Sequence, residues 1–197
     1  SRELWQQMAE LGWLTISVPE EDGGIGGSAA DIAIVMEGLG RALALEPYLA
    51  TALASALIAR VGTDEQKVRY LGPLAEGQLR MAVAFTEPQS RYQLEDCETR
   101  LDVQEDSMVL GGAKSLVLGG QYADITIVER ELPGIGLREY QTNDGMGAVD
   151  MRFNDVHLPA SALLGRRGAA LSEIEYMLDF AIACVASEAV GAVSALC

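Results

Sequence analysis

The hydrophobic positions of this chain repeat with two periods, and the change between them divides it. Leu4, Trp5, Met8 and Leu11 form a helical stripe that Gly12 closes. Leu14 to Val18 reads as extended, and Pro19-Glu20-Glu21-Asp22-Gly23-Gly24 reads as a turn. Ser28 and Asp31 have capping-box spacing, and Ile32, Val35, Met36 and Leu39 follow at i, i+3, i+4, i+7, which predicts a helix. Pro47 is placed to start another over Tyr48 to Val61. Thr63 and Gln66 repeat the capping-box spacing before a short segment ending at Leu71.

From about Arg80 the period becomes 2. Met81 to Phe85 is an apolar run, and Leu101 and Val103 alternate with polar neighbours. Ser115 to Leu118 and Ile125 to Val128 follow, and Val149, Met151 and Phe153 alternate with Asp150 and Arg152. This pattern predicts an antiparallel β region with turns at Gly111-Gly112 and Gly119-Gly120. Past Gly168 the helical period returns through Leu171, Ile174, Leu178, Ile182, Val185 and Ala189. The fold class is α+β. The final helix is long and apolar, so its stripe must pack on another domain, another chain or residues beyond Cys197.

Charge and composition exclude several classes. A formal net charge of -15, with 14 Lys and Arg spread along 197 residues, argues against nucleic acid. Cys97, Cys184 and Cys197 make no C-x-x-C pair, so no disulfide framework or zinc knuckle is expected, and a reducing, cytoplasmic setting fits. The longest uncharged stretch, Pro47 to Ala59, is too short to span a bilayer, and no signal peptide opens the chain, so a soluble protein without a membrane span is expected. A start at Ser1 suggests that the sequence begins inside a longer protein.

One histidine, His157, cannot build a His-paired nucleophile or a multi-histidine metal site, and in a loop before Leu158-Pro159 it reads as a surface residue. Glu20-Glu21-Asp22 lies in a turn and Glu173/Glu175 diverge on a helix, so neither predicts a metal site or acid–base pair. Gly23-Gly24-Ile25-Gly26-Gly27 lacks the spacing of a dinucleotide fingerprint. In Gly112-Ala113-Lys114-Ser115, Ala113 breaks the P-loop pattern, and a β-turn is expected there.

More specific is a series of phrases in order: Leu11-Gly12-Trp13-Leu14 with Val18-Pro19-Glu20-Glu21-Asp22-Gly23-Gly24, then Gly62-Thr63-Asp64-Glu65-Gln66-Lys67 with Tyr70-Leu71-Gly72-Pro73-Leu74-Ala75-Glu76-Gly77. Ala84-Phe85-Thr86-Glu87-Pro88 comes next, then Leu110-Gly111-Gly112-Ala113-Lys114 with Gly119-Gly120 and Ala123-Asp124, then Phe153-Asn154-Asp155-Val156-His157-Leu158-Pro159 with Leu163-Leu164-Gly165. Together these resemble the acyl-CoA dehydrogenase family over nearly the whole chain.

The resemblance implies an N-terminal helical domain (1–79), a middle antiparallel β-barrel-like domain (80–167) and the first helix of a C-terminal helical bundle (168–197). It implies FAD as cofactor, an acyl-CoA substrate desaturated between Cα and Cβ, and a glutamate base expected beyond Cys197, so that this segment alone would be inactive. It also implies electron-transfer flavoprotein as redox partner and a homo- or hetero-oligomer of two or four chains. In an acidic protein the phosphates of CoA would need a local basic patch or one from another chain.

By residue, Phe85, Thr86, Leu116, Val117 and Leu118 would line the flavin, with the Thr86 backbone and hydroxyl at the ring's polar edge. A turn-capping role for Thr86 is the alternative. Leu116 and Leu118 stand where the family usually has Trp and Thr or Ser, so a hydroxyl toward the ring is lost, an effect of about 1 kcal/mol. Arg91 and Tyr92 are placed as substrate or phosphate contacts, although Arg91 could instead pair with Glu95 or Asp96. Between Val128 and Glu129 the family usually carries a loop and a further strand; either a hairpin is deleted or residues are missing, and the second reading is preferred. The resemblance also admits a non-catalytic subunit of a heteromeric dehydrogenase, a cofactor-less structural module, or a flavin monooxygenase on the same scaffold.

Overall fold

The computed structural model describes residues 2–91, 93–125 and 132–197. The N-terminal part is helical: α1 (Arg2–Glu10), α2 (Ala29–Ala42), α3 (Tyr48–Val61) and α4 (Asp64–Ala75). Trp5 and Met8 of α1 are buried, but Leu11 lies past the helix end and is exposed, so the stripe is shorter than its period suggested. Gly12 then turns the chain with φ +72°. Leu14 to Val18 is not extended. Trp13–Thr15 forms a 3-10 turn, with the Thr15 N–H on the Gly12 carbonyl and the Val18 N–H on that of Thr15. Leu14, Ile16 and Val18 all reach the core, as they would on one face of a strand, so their alternation alone does not separate the two conformations.

Both predicted capping boxes form. The Ser28 N–H donates to Asp31 Oδ2 at 2.7 Å, and the Thr63 N–H donates to Gln66 Oε1 at 3.0 Å while the Gln66 N–H returns to Thr63 Oγ1 at 3.3 Å. Helix α4 runs past Leu71 to Ala75 with Pro73 inside its last turn. A proline removes one donor there, and the N–H groups of Glu76 and Gln78 still reach the carbonyls of Gly72 and Pro73.

The middle of the chain forms an antiparallel sheet in the order β1-β2-β4-β3, with β1 Arg100–Val103, β2 Ser107–Leu118, β3 Ile135–Gln141 and β4 Gly147–Pro159. Gly119-Gly120 makes the expected turn, with φ +72° at Gly119. Gly111-Gly112 does not: β2 continues through it with a register shift, so the segment around Lys114 is strand rather than turn. At Gly112 (φ +134°) a Cβ would lie 2.7 Å from Thr99 Cα, which is why the strand holds a glycine there. His157 lies within β4 opposite Val109, on the exposed side, rather than in a loop.

The apolar run 81–85 is not a regular strand. Among the described residues only Met81 bridges, in parallel, to Ile125, and the Thr51 hydroxyl of α3 bonds both backbone groups of Met81 at 3.0 and 3.1 Å. The run still alternates: Ala82 and Ala84 enter the sheet core, while Val83 and Phe85 face the helices. Residues after Ile125 in the expected Ile125–Val128 strand, and the Val128–Glu129 junction, lie outside the described residues. β3 was not legible in advance, since it is an edge strand whose residues are mostly exposed and so carry little apolar alternation.

The last helix, α5 (Ala170–Leu196), buries Met177, Cys184 and Gly191, a seam with a spacing of seven. Leu171, Ile182 and Val185 of the predicted stripe are exposed. The seam is set by α2. A Cβ on Gly191 would overlap the Glu37 carbonyl, and one on Gly40 would overlap that of Glu188, so the two backbones approach closely at small residues. By length and composition alone, α5 rather than α3 is long and apolar enough to cross a bilayer. Gln66 also ties the helical region to the segment after β4: its Nε2 donates to the carbonyls of Ser161 (2.9 Å) and Leu163 (3.0 Å).

Candidate functional site

The end of β2 is built around a bulge. Lys114 pairs with Met151 and Val117 with Val149, so Ser115 and Leu116 together face Asp150. The extra residue lets Lys114 and Val117, three apart, both point inward; a regular strand would send them to opposite faces. Leu116 and Leu118 are thereby turned outward, each 48% exposed. Leu116 adopts φ +50°, a conformation that costs a non-glycine residue roughly 1 kcal/mol. Its N–H donates to Asp150 Oδ1 at 3.1 Å, an oxygen that also accepts the Tyr140 hydroxyl at 2.8 Å.

Alongside runs the Phe85-Thr86-Glu87 segment. The Ser115 N–H donates to the Thr86 carbonyl at 2.9 Å, and the Thr86 hydroxyl donates back to the Ser115 carbonyl. Thr86 therefore cross-links two segments instead of capping the turn before Pro88. The Ser90 hydroxyl holds that turn by donating to the Glu87 carbonyl and accepting from the Glu87 N–H, both at 3.1 Å.

Glu87 is the most heavily bonded side chain of the region. Buried with 3% exposure, its carboxylate accepts from Lys114 Nζ (2.7 Å), Gln89 Nε2 (2.8 Å), the Glu98 N–H (2.7 Å), the Thr99 N–H (3.2 Å) and the Cys97 thiol (3.1 Å). Burial works against the charged form, but the bond from Lys114, with those from Gln89, Thr99 and Cys97, outweighs it and holds the Glu87 carboxyl well below the usual carboxylate range. For Cys97, burial and the bond to Glu87 push the thiol up, so it is a donor rather than a nucleophile. Glu87 and Lys114 lie inside the ordered phrases, but the phrases alone give neither a role. The signal was a lysine inside an apolar strand pattern, which demands a buried partner.

Of the predicted site residues, Thr86 is bonded to Ser115, next to Leu116 on the strand that carries Leu116 and Leu118. Phe85 packs with Leu53 and Leu57 of α3 and Met177 of α5. The Val117 side chain points instead into the sheet core with Val149. Arg91 is exposed on the turn after Pro88 with φ +50°, and among the described residues it forms no ion pair with Glu95 or Asp96. Tyr92 lies outside the described residues. Nearby, a cavity of about 530 Å3 opens between α3 and the start of α5, lined by Leu57, Val61 and Ile174, with Arg60 and Glu173 ion-paired at 2.6 Å. Among the described residues no cluster of His, Cys, Asp or Glu is arranged to hold a metal.

Residues 1–78 match the family model described as "Acyl-CoA dehydrogenase, N-terminal domain". The chain is 30% identical to the mitochondrial long-chain specific acyl-CoA dehydrogenase of Sus scrofa, over 84% of this chain and 44% of that protein. A probable acyl-CoA dehydrogenase of Mycobacterium abscessus, 26% identical, superposes with a TM-score of 0.87 over 97% of this chain and 57% of that one. A chain of the ChsE4-ChsE5 complex of Mycobacterium tuberculosis, also 26% identical, superposes with a TM-score of 0.81 over 91% of this chain and 52% of that one. The chain spans about half the length of the curated relatives it matches.

Proposed function

Because this chain belongs to the acyl-CoA dehydrogenase family, we propose that it forms the flavin-facing part of an FAD-dependent acyl-CoA dehydrogenase. The observation that carries the reading is the wall at the end of β2. Leu116 and Leu118 present a flat apolar face, fixed by the bulge and by the Thr86–Ser115 cross-link. Two large apolar side chains held half-exposed on a rigid strand fit a planar ring system, which would cover them. A bound flavin would supply the hydride acceptor for α,β-desaturation.

The chain's own residues would then bind and orient. Leu116 and Leu118 exclude water from one side of the ring, and the Thr86 hydroxyl, whose proton is committed to Ser115, keeps only its oxygen as an acceptor. The acyl portion of a thioester suits the cavity between α3 and α5, whose Leu57 and Ile174 are apolar. Arg91, exposed and without a carboxylate partner among the described residues, is placed to meet a phosphate of CoA or FAD. The division into units of 1–79, 80–167 and 168–197, a cytoplasmic setting and electron-transfer flavoprotein as electron acceptor belong to the same proposal.

A second reading has its own support. Leu118 offers no hydroxyl and Thr86 has spent its donor, so the wall is poorer in polar contacts than an active flavin site needs. That favours a non-catalytic subunit of a heteromer, and the ChsE4-ChsE5 complex is a relative in a two-chain assembly.

Purification of the full-length protein separates these readings. Flavin absorbance bands that bleach when acyl-CoA thioesters are added without oxygen support the dehydrogenase. Bands that do not bleach, with a second related chain co-purifying, favour the passive subunit. A colourless preparation that takes up no added FAD removes both and leaves a structural module.

A further inference from the structure

The bulge at Ser115-Leu116 needs something to hold it, and Asp150 is the residue opposite. Removing Leu116 from the ladder orphans its N–H, and its left-handed backbone is unfavourable in isolation. Asp150 Oδ1 meets that N–H at 3.1 Å. The carboxylate is itself held by the Tyr140 hydroxyl at 2.8 Å on the same oxygen, while the largely exposed Arg138, 4.0 Å from Oδ2, adds little. A carboxylate tied down from β3 is a fixed acceptor, not a wandering surface charge. Its side chain is one-third exposed, so it lies at the margin of the wall rather than in the core.

The alternative register shows what is at stake. If Leu116 relaxed to ordinary strand geometry, the bulge would vanish and every residue after it would change face. Either Val117 would leave the sheet core and Leu118 would enter it, or Lys114 would be drawn away from Glu87. The first outcome turns both leucines into the core, and the second leaves them outward but breaks the buried Lys114–Glu87 pair that fastens the neighbouring segment to the strand.

We propose that Asp150 is a positioning residue for the flavin-facing wall: its carboxylate oxygen holds the Leu116 amide, and through it the register that turns Leu116 and Leu118 outward together. The inference rests on the reading that a flavin lies on this wall, and concerns which residue shapes it.

The test uses the full-length protein freed of flavin and titrated with FAD, following flavin fluorescence, with the exchange rate of the Leu116 amide measured in the flavin-free state. Asp150→Asn keeps an acceptor oxygen and should hold FAD affinity within about twofold. Asp150→Ala removes it, and should weaken FAD binding about tenfold or more, the scale of one lost hydrogen bond to a charged group, and speed exchange at Leu116. A general structural role would lower the melting temperature of both variants without separating them in FAD affinity. Wild-type FAD affinity and unchanged Leu116 exchange in Asp150→Ala overturn the proposal, as does an equal loss in Asp150→Asn. A wild-type protein that takes up no FAD overturns the functional reading and this inference with it, and the wild type alone reveals that case.

Discussion

Lys114 Nζ lies 2.7 Å from Glu87 Oε1, and the two side chains are 8% and 2% exposed. Each comes from a different segment, Lys114 from β2 and Glu87 from the loop after the Met81–Phe85 run, so the pair fastens that loop to the sheet. Removing only the cation leaves a buried carboxylate with neutral donors. Lys114→Met should cost about 3–5 kcal/mol of stability, measured by urea denaturation. The double variant Glu87→Gln/Lys114→Met should recover much of that loss, and failure of the second change to help would show that the lysine acts through packing alone.

The same pair predicts an acid limb. Because the folded protein lowers the Glu87 pKa, the unfolded chain binds the proton more readily, and stability falls as pH falls. The contribution is fully present above the ordinary glutamate pKa of about 4.3 and is lost progressively below it, toward the depressed folded value. Glu87→Gln should flatten this part of a stability–pH profile taken by denaturant melts between pH 6 and pH 2.5, values of about two units on either side of the glutamate range. A parallel profile in the variant would place the acid sensitivity elsewhere.

Gly191 tests the docking of α5. In an exposed helix Gly→Ala stabilises by up to about 1 kcal/mol, but here the new methyl would overlap the Glu37 carbonyl of α2. Overpacking of this kind costs about 1–3 kcal/mol, so Gly191→Ala should destabilise on balance. Limited proteolysis within α5 should become faster, and a variant more stable than the parent would contradict the close approach of the two backbones.

Gln66 joins a helix cap to the end of β4. Gln66→Ala loses the return bond to the Thr63 N–H and both bonds to the Ser161 and Leu163 carbonyls. With each bond worth about 0.5–1.5 kcal/mol, a loss of about 2–3 kcal/mol in thermal or chemical denaturation is expected. Gln66→Glu, which keeps the cap but cannot donate to the two carbonyls, should lose the larger share.

Leu118→Thr restores a hydroxyl on the outward face. Leu118 is half-exposed, so stability should change by less than about 1 kcal/mol. If the side chain faces the flavin ring, the visible spectrum and reduction potential of the bound cofactor should shift. An unchanged spectrum and potential would take Leu118 out of the site.

Local chemistry was readable from the sequence. Both capping boxes, the start of α3 after Pro47, the turn at Gly119-Gly120 and the inward alternation of Val149, Met151 and Phe153 depend on neighbours within a few residues, and they formed as expected. The ordered phrases carried the family for the same reason, since they are strings along the chain.

Tertiary structure decided what depends on partners distant in sequence. The buried seam of α5 follows from where the backbone of α2 allows it to approach, so Met177, Cys184 and Gly191 displaced the apolar stripe that the period selected. Met81 has only an isolated bridge to Ile125, and both its backbone groups are bonded to Thr51, thirty residues away. Glu87 met Lys114, and Asp150 met Leu116, only because a bulge shifted the register by one residue. A strand's period of two cannot announce such a shift, since one extra residue reverses every face after it while leaving the composition of the segment unchanged.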